Sequence, residues 1–281
     1  MSRRLLVLRN VLKAWLVVVA FGLLFGFAGW KLGGFRLGVL FTASIVLLAA
    51  ALYYYAERIV MGMVGARELL PGEAPALHST LEGLANRAGV VKPRLYVLGD
   101  SYPRALAAGR GAGGGTGLAL SVGLVGVASP AELQGIFAHE LAHLRHRDVL
   151  VQTIAVIVAA AIVETSRLGG ALQRWLLFVL GPVAAAFTHL LLSPKREFLA
   201  DRFAAELCDS PHGLADALLR LEQAMLLVGF EASPATEPVY TTNPFAEEGL
   251  AAAFVTHPPV SERVRRLRAL DPDWREKLRA A

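Results

Sequence analysis

The chain has 281 residues, 55% of them apolar and only 18% charged, with a net charge of +5, a pI of about 9.6 and a mean hydropathy of +0.50. A soluble domain of this length usually carries more charge, so the composition calls for a membrane. The basic excess suits a lipid surface rather than nucleic acid, because no basic stripe interleaved with aromatic residues and no recognition motif accompanies it. Cys208 is the single cysteine, which rules out an intramolecular disulfide and suits a reducing compartment.

Residues 14–30 form an uncharged run between Lys13 and Lys31, and residues 37–55 form a second. Each is near the roughly 20 residues that a bilayer crossing needs. Gly33-Gly34 supplies a short turn between them, and Tyr53, Tyr54 and Tyr55 are placed as interfacial anchors. A signal peptide is the alternative for the first run. That run is longer than a usual signal core and a second follows at once, so the expectation is a retained helical hairpin. Arg3, Arg4, Arg9 and Lys13 precede the first span and favour a cytoplasmic amino terminus, against the weaker pull of Lys31, Arg36, Arg167 and Arg174 in the loops on the far side.

Residues 57–129 read as the α+β start of a second region. The pattern predicts a helix over 76–89 and strands over Arg94–Leu98, 104–108 and 117–122. The glycine-rich run 109–117 lacks the Lys-Ser/Thr ending of a phosphate loop and opens no helix, so it reads as a hairpin loop.

Ser129-Pro130 with Glu132 then signals a helix start. Leu133, Ile136, Phe137, Leu141 and Leu144 follow at helical spacing. Well inside this helix lies His139-Glu140-Leu141-Ala142-His143. Histidines at i and i+4 share one helical face and can share one zinc ion, and the glutamate beside the first can act as a base on a water at the open coordination position. By itself the pentapeptide also occurs on buried helices of unrelated proteins. A zinc hydrolase needs a third protein ligand. His146 lies on roughly the same face, but it stands about 10 Å along the helix from His139, too far for one ion. Arg145-His146-Arg147-Asp148 also lacks the glycine break and later histidine of the metzincin pattern, so His146 reads as a surface polar residue. Downstream, Ser193-Pro194 opens another helix carrying Glu197 and Asp201 four residues apart. One carboxylate there can bind metal while the other accepts a hydrogen bond from a ligand imidazole. The competing reading is a solvated helix whose acids pair with Lys195 and Arg196.

Two further apolar runs, 149–163 and 175–192, follow the active helix. By length they are either buried core helices or a shallow hairpin. Residues 214–228 are helical and amphipathic, 231–249 form a loop, and 261–270 form a basic helix after His257-Pro258-Pro259.

H-E-L-A-H with a distant E-F-L-A-D resembles the gluzincin clan, in which a glutamate of a second helix is the third metal ligand. The fuller resemblance is to the HtpX-type membrane metalloproteases, heat-shock quality-control enzymes of bacteria and archaea. It rests on Ala105-Leu106-Ala107-Ala108-Gly109, residues 118–125, the H-E-x-x-H helix through Asp148, residues 195–201, and Thr256-His257-Pro258-Pro259 with the run 261–267. It covers essentially the whole chain. Arg104 departs from it, standing where such proteins often have asparagine.

The resemblance implies a mainly helical α+β fold: a membrane-anchored, zincin-like metalloprotease domain with an active-site helix, a small β-sheet and two hydrophobic helical hairpins. The divisions expected are a first transmembrane hairpin over 1–56, the first part of the protease domain over 57–148, a second hairpin over 149–192 and the second part of the domain over 193–281. His139, His143 and Glu197 are then the zinc ligands, Glu140 the general base and Asp201 the partner of a ligand histidine. His257 stands near the metal as a transition-state group. Ala105, Leu106, Ala107 and Ala108 form an edge strand that binds substrate backbone by β-addition. The expected function is a multi-pass endopeptidase of a prokaryotic inner membrane, its site facing the cytoplasm, degrading damaged membrane proteins. Its partners are protein substrates and the lipid bilayer, with no nucleic acid. The alternatives are a CAAX-type prenyl-protein protease, a non-catalytic scaffold around a structural zinc, and a transporter using Glu164 and His189. If the active helix runs on into the apolar segment, His143 lies about 9 Å from it, which places the metal close to the bilayer surface.

Overall fold

A computed structural model describes residues 3–167, 194–227, 257–271 and 273. The amino-terminal helix α1, Arg3–Met63, breaks at Gly33 and at Gly34, whose φ of 73° is open to glycine at little cost. The two arms fold back on one another. Thr42 Oγ1 donates to the Gly22 carbonyl at 3.3 Å, and a Cβ added to Gly26 would stand 2.3 Å from that hydroxyl. Outward-facing side chains of both arms, including Leu23, Leu32, Phe35 and Leu47, are mostly exposed. Among the described residues α1 is the one helix long and apolar enough to cross a membrane.

The second arm does not stop at Tyr55, where the uncharged run ends; it continues to Met63. Val60 and Met61 are buried against Tyr96, Leu98 and Leu106 of the sheet. Glu57 is buried as well, accepting from the Tyr96 hydroxyl at 2.9 Å and pairing with Arg94 at 2.7 Å. The apolar arm and the sheet are therefore one packed unit.

The sheet has strands β1 (Arg67–Glu68), β2 (Arg94–Leu98), β3 (Ala105–Gly109) and β4 (Thr116–Ser121) in the order β1-β2-β4-β3. β2 runs parallel to β4, and β3 runs antiparallel to it with Gly109 opposite Thr116. The glycine-rich segment closes that hairpin, as its composition predicts; Arg110 N–H donates to the Gly115 carbonyl at 3.0 Å. The two-residue strand β1 is an addition to the expected set, too short to leave a periodic trace. Strand alternation sends Leu106 and Ala108 toward the end of α1 and toward Val156. Ala105 and Ala107 face the main core.

That core is built around α4, Pro130–His146. Its start is a capping box: Ser129 Oγ accepts from Glu132 N–H, and the Glu132 carboxylate accepts from Ser129 N–H at 2.8 Å. Around α4 pack α2 (Pro75–Ala88), the short α3 (Val122–Val127), α5 (Asp148–Arg167), α6 (Lys195–Leu207), α7 (His212–Leu227) and α8 (Val260–Arg268). α4 and α7 meet backbone to backbone at Gly135, where a Cβ would stand 2.6 Å from Leu214 N.

The helix that bears His143 does not run on into the apolar segment. Arg147 adopts a left-handed conformation (φ 59°, ψ 24°) that ends α4, and its N–H caps the His143 and Leu144 carbonyls. α5 begins afresh at Asp148, and its side chains are buried nearly all round as far as Ala160. A helix so largely apolar and covered on nearly every side suits a protein core or a membrane span alike. The run 175–192 and the loop 231–249 lie outside the described residues.

The Gly135 contact gives a direct test. Gly135→Ala should lower stability by about 1–3 kcal/mol through overpacking against α7. Gly83→Ala, on an open face of α2 with nothing within 4 Å of the added carbon, should raise stability by roughly 0.5–1 kcal/mol. Thermal melts of the two proteins in detergent measure both.

Candidate metal centre

α4 and α6 face each other across the core, and the pairing aligns three donors. His139 and His143 project from adjacent turns of α4, with ring centroids 4.8 Å apart. Glu197, in the first turn of α6, reaches between them. The two Nε2 atoms are 3.2 Å apart. Glu197 Oε2 lies 3.5 Å from His139 Nε2, and Oε1 lies 3.6 Å from His143 Nε2. All three donors lie within 4.8 Å of one another and all three residues are buried.

These separations fit a metal ion. Ligand atoms about 2.1 Å from a tetrahedral zinc stand about 3.4 Å from one another. The polar accounting agrees. Both Glu197 carboxylate oxygens are buried without a hydrogen-bond partner, although Arg196 Nε stands 3.2 Å from Oε1. A fully buried carboxylate is costly unless positive charge meets it. The Glu197 carboxyl is held well below its usual range; burial pushes the other way, but His257, His143 and Arg196 outweigh it. His143 shows the converse: burial lowers its basicity, yet the Glu197 and Asp148 carboxylates push it up to about 10. The pocket is built to attract a cation.

Each ligand imidazole has a carboxylate behind it. Asp201, one turn beyond Glu197, places Oδ1 3.0 Å from His139 Nδ1. Asp148 places Oδ2 3.4 Å from His143 Nδ1. Such contacts fix the tautomer and orientation of a ligand ring. Asp201 stands behind a candidate ligand histidine, the place the sequence suggests for it. Asp148 is an addition. Five residues past His143 on an unbroken helix, it would point away from the site, and only the left-handed turn at Arg147 brings it round.

Arg263 is the second addition. α8 is the expected basic helix, and its Arg265 and Arg266 are exposed, but Arg263 is fully buried. Its Nε and Nη2 donate to the two Asp201 oxygens at 2.9 and 2.6 Å. Its Nη1 lies 3.7 Å from Glu197 Oε2. Arg263, with Glu197, marks the two faces on which α6 and α8 close over α4.

The remaining expected residues fall as follows. Glu140 is buried on α4 beside His139. His257 is buried with Nε2 3.7 Å from Glu197 Oε2, so the chain does bring it to the donor group. His146 stays outside that group, its ring against Phe203. Ala105, Leu106, Ala107 and Ala108 form β3, which pairs with one strand only and is an edge of the sheet among the described residues. Arg104 is held by Asp100 and by the β3–β4 pairing, with its N–H on Ser121 Oγ.

A helix bearing H-E-x-x-H against a second helix bearing a buried glutamate defines a metallopeptidase. Residues 71–271 match peptidase family M48. The protease HtpX homolog of Pelotomaculum thermopropionicum is 35% identical over 279 residues, covering 93% of this chain and 99% of that one. That of Pyrococcus abyssi is 34% identical over 279 residues, with 93% and 94% covered. The crystal structure of S. mikatae Ste24p is 19% identical with a TM-score of 0.48, covering 89% of this chain and 61% of that one. The chain belongs to peptidase family M48, within its HtpX proteases, and is a metalloprotease that acts on protein substrates.

The Arg263–Asp201 pair should be costly to break. Arg263→Met leaves an uncompensated buried carboxylate and is expected to lower unfolding free energy by about 3–5 kcal/mol. The paired change Asp201→Asn with Arg263→Met should recover part of that loss in denaturant titrations.

Proposed function

We propose that the chain is a membrane-embedded zinc endopeptidase that degrades damaged or misfolded membrane proteins. The observation that carries this reading is the buried His139–His143–Glu197 group, whose carboxylate oxygens have no hydrogen-bond partner. Two imidazoles and one carboxylate suit zinc, and three protein donors leave the open position that a hydrolase needs; structural sites are usually closed by four.

A bound zinc ion would supply Lewis acidity toward an attacking water and toward the substrate carbonyl. Glu140 takes a proton from that water and delivers it to the leaving amine as the peptide bond breaks. His257, beside Glu197, donates to the oxygen on which negative charge develops. Asp201 and Asp148 hold the two ligand rings, and Arg263 balances the charge of Asp201. An extended substrate segment adds to β3 at the sheet edge, where main-chain bonding gives affinity without demanding a particular sequence. That indifference suits an enzyme that must accept many damaged proteins. Gly109 N–H is already bonded to Thr153 Oγ1 at 2.9 Å, so added backbone runs toward Ala105.

The membrane reading is supported by α1. Its apolar side chains stay exposed over both arms, a surface far beyond what a monomer leaves to water. The basic residues of its first turns favour a cytoplasmic amino terminus. Packing of the sheet on its last turns supports a centre near the bilayer surface, and an even number of crossings would return it to the cytoplasmic side.

Glu140→Gln should keep one zinc per chain and lose about 10²–10⁴-fold in cleavage of an unfolded test protein. Glu197→Ala should lose the metal itself. Elemental analysis and a digestion assay on protein purified in detergent check both. A fully active Glu140→Gln enzyme, or unchanged zinc in Glu197→Ala, would overturn the assignment.

A further inference from the structure

The first arm of α1 is largely exposed, but between Arg9 and Lys13, ahead of the uncharged run, it carries one buried polar side chain among the described residues. Asn10, in its third turn, is buried. Its Nδ2 donates to Asp148 Oδ1 at 2.5 Å and to the His146 carbonyl at 3.0 Å. Both acceptors belong to the junction where α4 ends and α5 begins. The other Asp148 oxygen, Oδ2, faces His143 Nδ1 at 3.4 Å. A continuous polar path thus runs from the amino-terminal arm, through one carboxylate, to an imidazole of the metal centre.

Each link has a physical reason. An amide on an apolar helix is costly to bury unless its hydrogens find acceptors, and this one finds two at a fixed place. That fixes the depth and rotation at which the arm docks. Asp148 has two oxygens to satisfy; with one held by Asn10, the other is aimed at His143 and the carboxylate loses its freedom to rotate. Val17 packs against Val151 and Ala155 two turns further along the same arm, so the contact at Asn10 belongs to a longer α1–α5 seam rather than to an isolated touch.

We propose that Asn10 is a positioning residue of the metal centre: through Asp148 it sets the orientation of His143, so the amino-terminal arm is a working part of the site as well as an anchor. This rests on the reading of His143 as a metal ligand. Ligand-orienting partners of this kind are worth 10- to 100-fold in metal affinity.

The test is zinc affinity by chelator competition on the full-length protein in detergent, with thermal melts to show that each variant is folded. Asn10→Leu, or Asn10→Ala where the larger side chain does not accumulate, should weaken zinc binding about 10- to 100-fold. It should lower kcat with little change in KM. The Co(II)-loaded variant should show an altered visible spectrum. Asp148→Asn should weaken binding similarly, and adding Asn10→Ala to it should cost less than a further twofold, because the path is already cut. Wild-type affinity and spectrum in a folded Asn10 variant, or full additivity with Asp148→Asn, would overturn the relay while leaving the metal centre standing. A wild-type protein that binds no zinc would overturn both.

Discussion

A carboxylate buried between two imidazoles, with no hydrogen bond to either of its oxygens, must meet a cation. That constraint on Glu197 organises the rest of the core. α4 supplies the two imidazoles because its i,i+4 spacing puts them on one face; α6 crosses close enough to insert Glu197 between them. Arg196 and Arg263 bring positive charge from α6 and α8, and Asp201 and Asp148 brace the rings from behind. Four acidic groups, Glu140, Asp148, Glu197 and Asp201, are buried within this small volume. Such a density of carboxylates is tolerable only where metal and guanidinium charges offset it.

The same constraint explains why the membrane arm and the protease domain are not separate modules. The last turns of α1 are core to the sheet through Val60 and Met61. Its first turns touch the junction behind His143 through Asn10. The helical pair that carries the apolar surface is therefore held at both ends by the catalytic unit. A centre fastened in this way cannot move independently of the apolar arm.

Local signals made much of this legible from the residues. The capping box at Ser129 and the apolar spacing of α4 announce a helix, and H-E-x-x-H on it announces a metal. The i,i+4 pair Glu197 and Asp201 gives the second face, and β2, β3 and β4 appear within a residue of their periodic signals. What stayed hidden depends on tertiary geometry. Asp148 joins the site only because Arg147, a residue with no special liking for the left-handed region, ends the helix there. Arg263 sits among four arginines of similar appearance, and only the crossing of α8 over α6 selects it. Asn10 is a lone amide between Arg9 and Lys13, ahead of the uncharged run, and nothing local tells whether it faces lipid, water or protein.

X-ray absorption at the zinc edge reads the donor set of the centre directly. Zinc-loaded protein should show two imidazole nitrogens and two oxygens at about 2.0–2.2 Å, with no sulfur. Glu197→Ala, exposed to the same zinc and washed, should show no such centre. A third imidazole in the wild-type spectrum, from His146 or His257, or a sulfur from Cys208, would contradict the centre described here.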